Sequence, residues 1–160
     1  MGRIIKQVSE IEVLSWEELE PGQKQLIEAA RKSAKVAYAP YSDFLVGAAL
    51  ELENRLILTG NNQENMAYPS GLCAERVVLF FAGANYPDTA PVRLAITAHF
   101  RDHRQLKEPA TPCGACLQAL KEYESRFGAN LEILLDGPNE VWKVNGLQHL
   151  LPFAFSGLRG

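Results

Sequence analysis

All three cysteines of this 160-residue chain lie in two short segments, each of which opens a stretch with helical spacing of apolar residues. The first segment is Cys73-Ala74-Glu75-Arg76, and the second is Pro112-Cys113-Gly114-Ala115-Cys116. An odd number of cysteines cannot all pair within one chain, and a Cys-x-x-Cys pair is typical of a metal site. The pattern therefore favours a metal over disulfides and requires a fold in which both segments meet.

The apolar pattern predicts three helices and five strands. We expect helices over residues 21–38, 73–84 and 113–127, and strands over residues 44–52, 55–59, 92–98, 131–135 and 141–144. Pro40 follows the first helix, and Gly128 is a C-terminal cap for the third. This order predicts an α/β fold, a three-layer α/β/α domain built on one mixed five-stranded sheet.

The length suits one domain spanning residues 1–160, with residues 1–20 as an N-terminal extension. Residues 99–111 form a long polar connection, which we expect on the surface and away from the chemistry. A net charge of −3 disfavours a nucleic-acid partner and favours a small-molecule substrate. The sequence shows neither a secretion signal nor a membrane-spanning stretch, so a cytoplasmic location is the default expectation.

Three thiolates would leave one position open on a tetrahedral zinc ion. Cys113 and Cys116 lie three residues apart at a helix start, so both sulfurs can face one ion together with Cys73. Catalytic zinc sites use three protein ligands and keep water in the fourth position, whereas structural sites close with a fourth ligand. A structural Cys₃His site is the alternative, and its candidate ligands are His99, His103 and His149.

Glu75 is the candidate for proton transfer beside such an ion. Zinc lowers the pKa of a bound water to roughly 7, which brings its proton within reach of a carboxylate. Glu75 lies two residues after Cys73, and residues at this spacing point to different sides of a regular helix. The geometry at the helix start must resolve this conflict. Alternatively, Glu75 only stabilises the helix dipole.

Arg76 adjoins the same cluster. Three thiolates on Zn²⁺ leave a net negative charge, which weakens the metal as a Lewis acid. We expect the Arg76 guanidinium to donate hydrogen bonds to thiolate sulfur and withdraw part of that charge. The alternative is a surface arginine paired with a carboxylate.

The paired motifs are typical of zinc deaminases, in which a glutamate in the first segment moves protons and Pro-Cys-x-x-Cys completes the metal site. From about residue 37 to residue 155, the chain resembles the small, homotetrameric cytidine deaminases. The likeness includes residues 38–50 (YAPYSDFLVGAAL), residues 62–65 (NQEN) and Tyr68-Pro69, in addition to both cysteine segments. One departure is His149, where the family usually has Glu before Leu-Leu-Pro.

This resemblance implies hydrolytic deamination of cytidine and 2′-deoxycytidine, with one Zn²⁺ per chain and composite sites in a homotetramer. It implies that Asn62 and Glu64 bind the ribose 3′-hydroxyl, and that the Ala74 backbone reads the pyrimidine edge together with Glu75. Aromatic contacts are implied for Phe44 beside the base, and for Tyr68 and Phe155 across a subunit interface. Two alternatives remain: a deaminase of a modified nucleoside such as blasticidin S, and a non-catalytic module with a structural zinc.

Overall fold

The structure is a computed structural model that describes residues 2–102, 104 and 106–156. Its helices are α1 (Pro21–Ala34), α2 (Ala74–Asn85) and α3 (Gly114–Phe127). Its strands are β1 (Glu12–Leu14), β2 (Phe44–Leu52), β3 (Ile57–Asn61), β4 (Pro91–Phe100), β5 (Glu132–Asp136) and β6 (Val141–Asn145). The sequence predicted all three helices and the strands β2 to β6.

One sheet contains all of these strands, in the order β1-β6-β5-β4-β2-β3. Only β4 and β5 are parallel neighbours, so the sheet is mixed, as predicted. The sheet has six strands rather than the predicted five, because β1, within residues 1–20, adds a sixth. Three residues are too short to show an alternating pattern, and β1 is a strand because it pairs antiparallel with β6, with Val13 opposite Trp142.

The helices cover both faces of the sheet. One core packs α1 residues such as Leu26 and Ile27 against Ala49 and Ala95. The other core packs α2 and α3 against the alternate strand residues, and it includes Val78, Leu120 and Leu50. Successive strand residues point to opposite faces, so one set of strands supplies both cores and the predicted three-layer arrangement results.

Glycines allow the closest approach of a helix to the sheet on each face. A Cβ atom on Gly47 of β2 would lie 2.1 Å from the carbonyl oxygen of Ala30 in α1. A Cβ atom on Gly60 of β3 would lie 2.8 Å from the backbone nitrogen of Val78 in α2. Both distances are shorter than any real contact, so these positions admit only glycine without a shift of the backbone.

Most element ends differ from the prediction by one or two residues, as at β3, which was predicted over residues 55–59, and the end of α1 differs by four. Helix α1 ends at Ala34 rather than at residue 38, because Tyr38 is extended and forms a bridge with Gln63. Strand β4 continues to Phe100, since His99 and Phe100 pair with Leu45 and Phe44. The polar connection therefore begins after residue 100. No helix within the described part of the chain is long and apolar enough to cross a membrane.

Candidate active site

The three cysteines come together at the starts of α2 and α3. Cys73 is the N-cap of α2 and Cys113 is the N-cap of α3, and both have extended backbones. Cys116 lies in the first turn of α3 and is fully buried. The first N–H groups of a helix have no intrahelical partner and give its start a partial positive charge, which favours thiolates there.

The distances between the sulfur atoms fit one metal ion. Cys113 Sγ lies 3.5 Å from Cys116 Sγ and 3.9 Å from Cys73 Sγ, and the ligand atoms all lie within 4.8 Å of one another. Three thiolates at about 2.3 Å from a tetrahedral zinc ion would be separated by roughly 3.8 Å. A disulfide needs sulfurs about 2.05 Å apart, and all three cysteines are free.

The electrostatics of the cluster also fit a cation. Hydrogen bonds from Cys116 and Arg76 hold the pKa of Cys73 at about 5, against the opposing effect of burial. The hydrogen bond to Cys73 and burial beside Glu75 raise the pKa of Cys116. The Cys73 thiolate therefore suppresses the ionisation of Cys116, and a bound cation would offset the charge of both thiolates.

Arg76 contacts the cysteine cluster through its guanidinium group. Its Nη2 atom donates a hydrogen bond to Cys73 Sγ over 3.7 Å. This hydrogen bond raises the pKa of the Arg76 guanidinium. In the described part of the chain no salt bridge joins Arg76 to a carboxylate, so its contact is with the sulfur cluster.

Glu75 is buried beside the cysteines. It is 4% exposed, and burial raises the pKa of its carboxyl group. Its Oε2 atom is buried and has no hydrogen-bond partner among the described residues. A buried carboxylate oxygen without a partner is costly, and a water molecule at the metal would satisfy it. The spacing conflict with Cys73 is resolved because Cys73 is the N-cap, outside the regular helix.

A cavity of about 380 Å³ opens next to Cys73 and Arg76. Three residues predicted to bind substrate, Asn62, Glu64 and Tyr68, line it. Tyr41 also lines it, and its ring meets the Tyr68 ring edge-on at a centroid distance of 5.9 Å. The volume, and a mostly apolar lining with a few polar side chains, suit a small ligand that carries polar groups.

Asn62 and Glu64 connect this cavity to the segment before β2. Asn62 Oδ1 accepts a hydrogen bond from the Val46 N–H at 2.8 Å, and its Nδ2 donates to the Phe44 carbonyl at 2.9 Å. Glu64 accepts hydrogen bonds from the backbone of Tyr41 and from Ser42. Partial burial opposes these bonds, but they hold the pKa of Glu64 below its usual value. Glu64 is therefore an anion that fixes one wall of the cavity.

Three predicted substrate contacts lie outside the cavity lining. Phe44 begins β2, and its ring packs against Phe100 at 4.9 Å between centroids. Ala74 is the first residue of α2 and is fully buried, so only its backbone can contribute. Phe155 is 71% exposed on the molecular surface. Within one chain, the cavity thus brings together only some of the residues predicted to bind substrate.

The alternative of a structural Cys₃His site, with a histidine as the fourth metal ligand, gains no support from the described residues. Among the described residues, the one group able to hold a metal consists of the three cysteines. His99 lies on β4, and His149 Nδ1 accepts a hydrogen bond from the Glu10 N–H at 3.0 Å. His103 lies outside the described residues.

Comparison with known proteins identifies the family. A family model described as the cytidine and deoxycytidylate deaminase zinc-binding region matches residues 21–127. The chain belongs to the cytidine and deoxycytidylate deaminase family. The matched region contains the three cysteines, so the cofactor of this deaminase-family enzyme is one zinc ion per chain.

Similar proteins cover most of the chain. A cytidine deaminase of Halalkalibacterium halodurans is 38% identical over 133 residues, which are 83% of this chain and 93% of that protein. A cytidine deaminase of Sporosarcina psychrophila is 35% identical over 133 residues, which are 83% of this chain and 90% of that protein. The crystal structure of cytidine deaminase from Burkholderia pseudomallei has a TM-score of 0.69 and 34% identity, covering 82% of this chain and 97% of that one. These likenesses confirm both the predicted family and its fold.

Proposed function

We propose that this enzyme catalyses the hydrolytic deamination of cytidine and 2′-deoxycytidine to uridine and 2′-deoxyuridine, with release of ammonia. The observation that carries the proposal is a three-cysteine cluster with a buried, unpartnered carboxylate oxygen of Glu75 at its side. The similar proteins named cytidine deaminase support the choice of substrate.

Cys73, Cys113 and Cys116 would hold the zinc ion. When bound, zinc supplies a Lewis acid and lowers the pKa of a water molecule. Glu75 Oε2 takes a proton from the attacking water, and the oxygen adds to the amino-bearing carbon of the base. Glu75 then delivers protons to the ring nitrogen and to the departing ammonia, so that one water is consumed for each ammonia released. Burial raises the pKa of Glu75, which suits a group that must both accept and return a proton.

Arg76 has a supporting role in this proposal. Its hydrogen bond to Cys73 Sγ draws negative charge away from the thiolate. A less negative cluster leaves the metal a stronger Lewis acid. Arg76 acts through Cys73, and it needs no contact with substrate.

In this proposal, the cavity beside Cys73 receives the nucleoside. Asn62 and Glu64 offer a donor and an acceptor to the ribose 3′-hydroxyl, and both line this cavity. The Ala74 backbone and Glu75 read the pyrimidine edge, and Phe44 packs beside the base.

Tyr68 and Phe155 complete the site in a homotetramer with composite active sites. Their exposed fractions in one chain, 75% and 71%, support contacts made with another copy. The cytoplasmic location and the single domain with an N-terminal extension stay predictions.

The test follows the ultraviolet absorbance of cytidine and deoxycytidine with purified protein of known zinc content. Wild type is compared with Glu75→Gln and with Glu28→Gln, a matched change on the exposed face of α1. We expect Glu28→Gln to retain turnover and Glu75→Gln to lose at least ~100-fold while one zinc per chain is kept.

Other outcomes identify the alternatives. A zinc-loaded wild type that is inert toward both nucleosides refutes the proposed substrates and favours a modified nucleoside such as blasticidin S. If that wild type is inert toward all these nucleosides and Glu75→Gln changes nothing measurable, the zinc is structural.

A further inference from the structure

The side chain of Gln118 forms a pair of reciprocal hydrogen bonds with the backbone of Phe155. Gln118 Nε2 donates to the Phe155 carbonyl at 3.0 Å, and the Phe155 N–H donates to Gln118 Oε1 at 3.0 Å. A primary amide that satisfies both backbone groups of one residue reproduces the pairing of a β-bridge. The two bonds fix both the position and the orientation of that residue's backbone.

The fixed residue presents an exposed aromatic ring. Phe155 is 71% exposed, so the two hydrogen bonds do not serve to bury its phenyl group in this chain. Segments outside helices and strands are usually more mobile than the elements they join unless hydrogen bonds or packing hold them. Holding the backbone of a residue whose ring stays exposed restricts the directions in which that ring can project.

Helix α3 holds both ends of the segment that carries Phe155. We call residues 147–156 the tail segment. At its start, the Leu147 N–H donates to Glu124 Oε1 at 2.9 Å, and at its other end Phe155 is bound by Gln118. Both partners belong to α3, the helix whose N-cap is the proposed zinc ligand Cys113.

Gln118 lies close to the metal cluster along this helix. It follows the zinc ligand Cys116 by two residues, which corresponds to a rise of roughly 3 Å along the axis. A helix is stiff over this distance, so the position of Phe155 is fixed relative to the sulfur cluster of its own chain. In an assembly of copies, this would set where each phenyl group enters the neighbouring copy.

We infer that Gln118 is a positioning residue that orders Phe155 for contact with the substrate site of a second copy of this chain. The inference rests on the proposed function, in which Phe155 completes a composite site. Gln118 touches no substrate, and it acts through the backbone of Phe155 alone.

Two substitutions of Gln118 test its two hydrogen bonds to the Phe155 backbone. Gln118→Met keeps the length and helix propensity of the side chain but removes both hydrogen bonds. Gln118→Glu keeps an acceptor for the Phe155 N–H but sets a carboxylate oxygen against the Phe155 carbonyl. Phe155→Ala removes the ring and keeps the backbone pair, and the double variant Gln118→Met/Phe155→Ala closes a double-mutant cycle.

The first measurement is hydrogen exchange of the Phe155 amide in the zinc-loaded protein, which needs no activity. Because two neutral hydrogen bonds are lost, we expect Gln118→Met to raise that exchange rate roughly 5- to 30-fold, with Gln118→Glu between it and wild type. Unchanged exchange in Gln118→Met overturns the inference.

The second measurement is steady-state kinetics with cytidine. We expect Gln118→Met to raise KM roughly 3- to 10-fold with kcat changed less than about twofold, and to add nothing further in the Phe155→Ala background. The inference is overturned if Gln118→Met raises KM by the same factor in the wild type and in Phe155→Ala. It is also overturned if KM is unchanged in Gln118→Met or in Phe155→Ala. In both cases wild-type turnover upholds the proposed function. An inert wild type refutes the proposed function, and exchange at Phe155 then decides by itself whether Gln118 orders this residue.

Discussion

Glu124 is the polar group whose removal tests the packing of α3 most directly. It is 6% exposed, and its Oε1 atom accepts hydrogen bonds from the N–H groups of Leu131 and Leu147, each at 2.9 Å. Its Oε2 atom pairs with Lys121 Nζ at 3.1 Å. One carboxylate therefore joins α3 to the start of β5 and to the start of the tail segment.

Glu124→Ala should be among the most destabilising single changes in this chain. It leaves two buried N–H groups without a partner, at about 1–3 kcal/mol each, and thus about 2–6 kcal/mol in total. Leu131 and Leu147 are 2% and 0% exposed, so water reaches these groups only if the packing opens. Lys121 adds little, because its side chain is 28% exposed and such pairs contribute at most about 1 kcal/mol.

Glu124→Gln is the matched control, since its amide oxygen can still accept both N–H groups. We expect it to cost about 1–2 kcal/mol, mainly from weaker, uncharged hydrogen bonds. The assay is urea unfolding of the zinc-loaded protein followed by circular dichroism. If the Ala and Gln variants lose equal free energy of unfolding, or if the Ala variant loses less than about 1 kcal/mol, the carboxylate does not hold these N–H groups.

Two further predictions concern the sheet and the cysteine cluster. Gly47→Ala should lower the free energy of unfolding by about 3 kcal/mol or more, measured by urea denaturation, because its Cβ would lie 2.1 Å from the Ala30 carbonyl oxygen. In the metal-free protein, alkylation of Cys73 by iodoacetamide should rise with pH around a midpoint near 5, because the thiolate forms above its lowered pKa. Arg76→Gln should move that midpoint upward, since the guanidinium stabilises the thiolate.

Each of these has its own control. Gly22→Ala in α1 places a Cβ in ordinary contact, 3.4 Å from Arg93, and should be neutral or stabilising. Equal losses in the two glycine variants would show that close packing at Gly47 is not the cause. A midpoint for Cys73 between about 8 and 9, the ordinary range of a thiol, would contradict the proposed effect of its neighbours.

The sequence predicts most of the fold because most of its signals are local. The apolar period locates α2 and α3, and the spacing of the cysteines predicts the cluster that the structure brings together. The sequence does not predict β1, since only its pairing with β6 makes it a strand. The sequence does not predict the end of β4 for the same reason, because Phe100 is a strand residue only through its pairing with Phe44.

The candidate site likewise has some features that the sequence predicts and others that only the structure shows. Residue types and spacing predict Glu75 as the proton carrier, whereas only the structure shows that Cys73 is the N-cap of α2 and lies outside the regular helix. The contacts of Glu64 with Tyr41 and Ser42 leave no pattern in the sequence, because they join residues more than 20 positions apart. The amide pair of Gln118 is hidden in the same way.

The three-residue strand β1 also affects how the folded chain meets other molecules. Without it, the five residues of β6 would form an open edge, with unpaired N–H and C=O groups ready to add a strand from another chain. β1 occupies that edge, and Glu12 and Lys143 place opposite charges beside each other on the pair. Very short edge strands and charged side chains are common means by which proteins prevent edge-to-edge aggregation. β1 thus covers residues 141–143 of β6 and leaves a short, charged strand at this edge of the sheet.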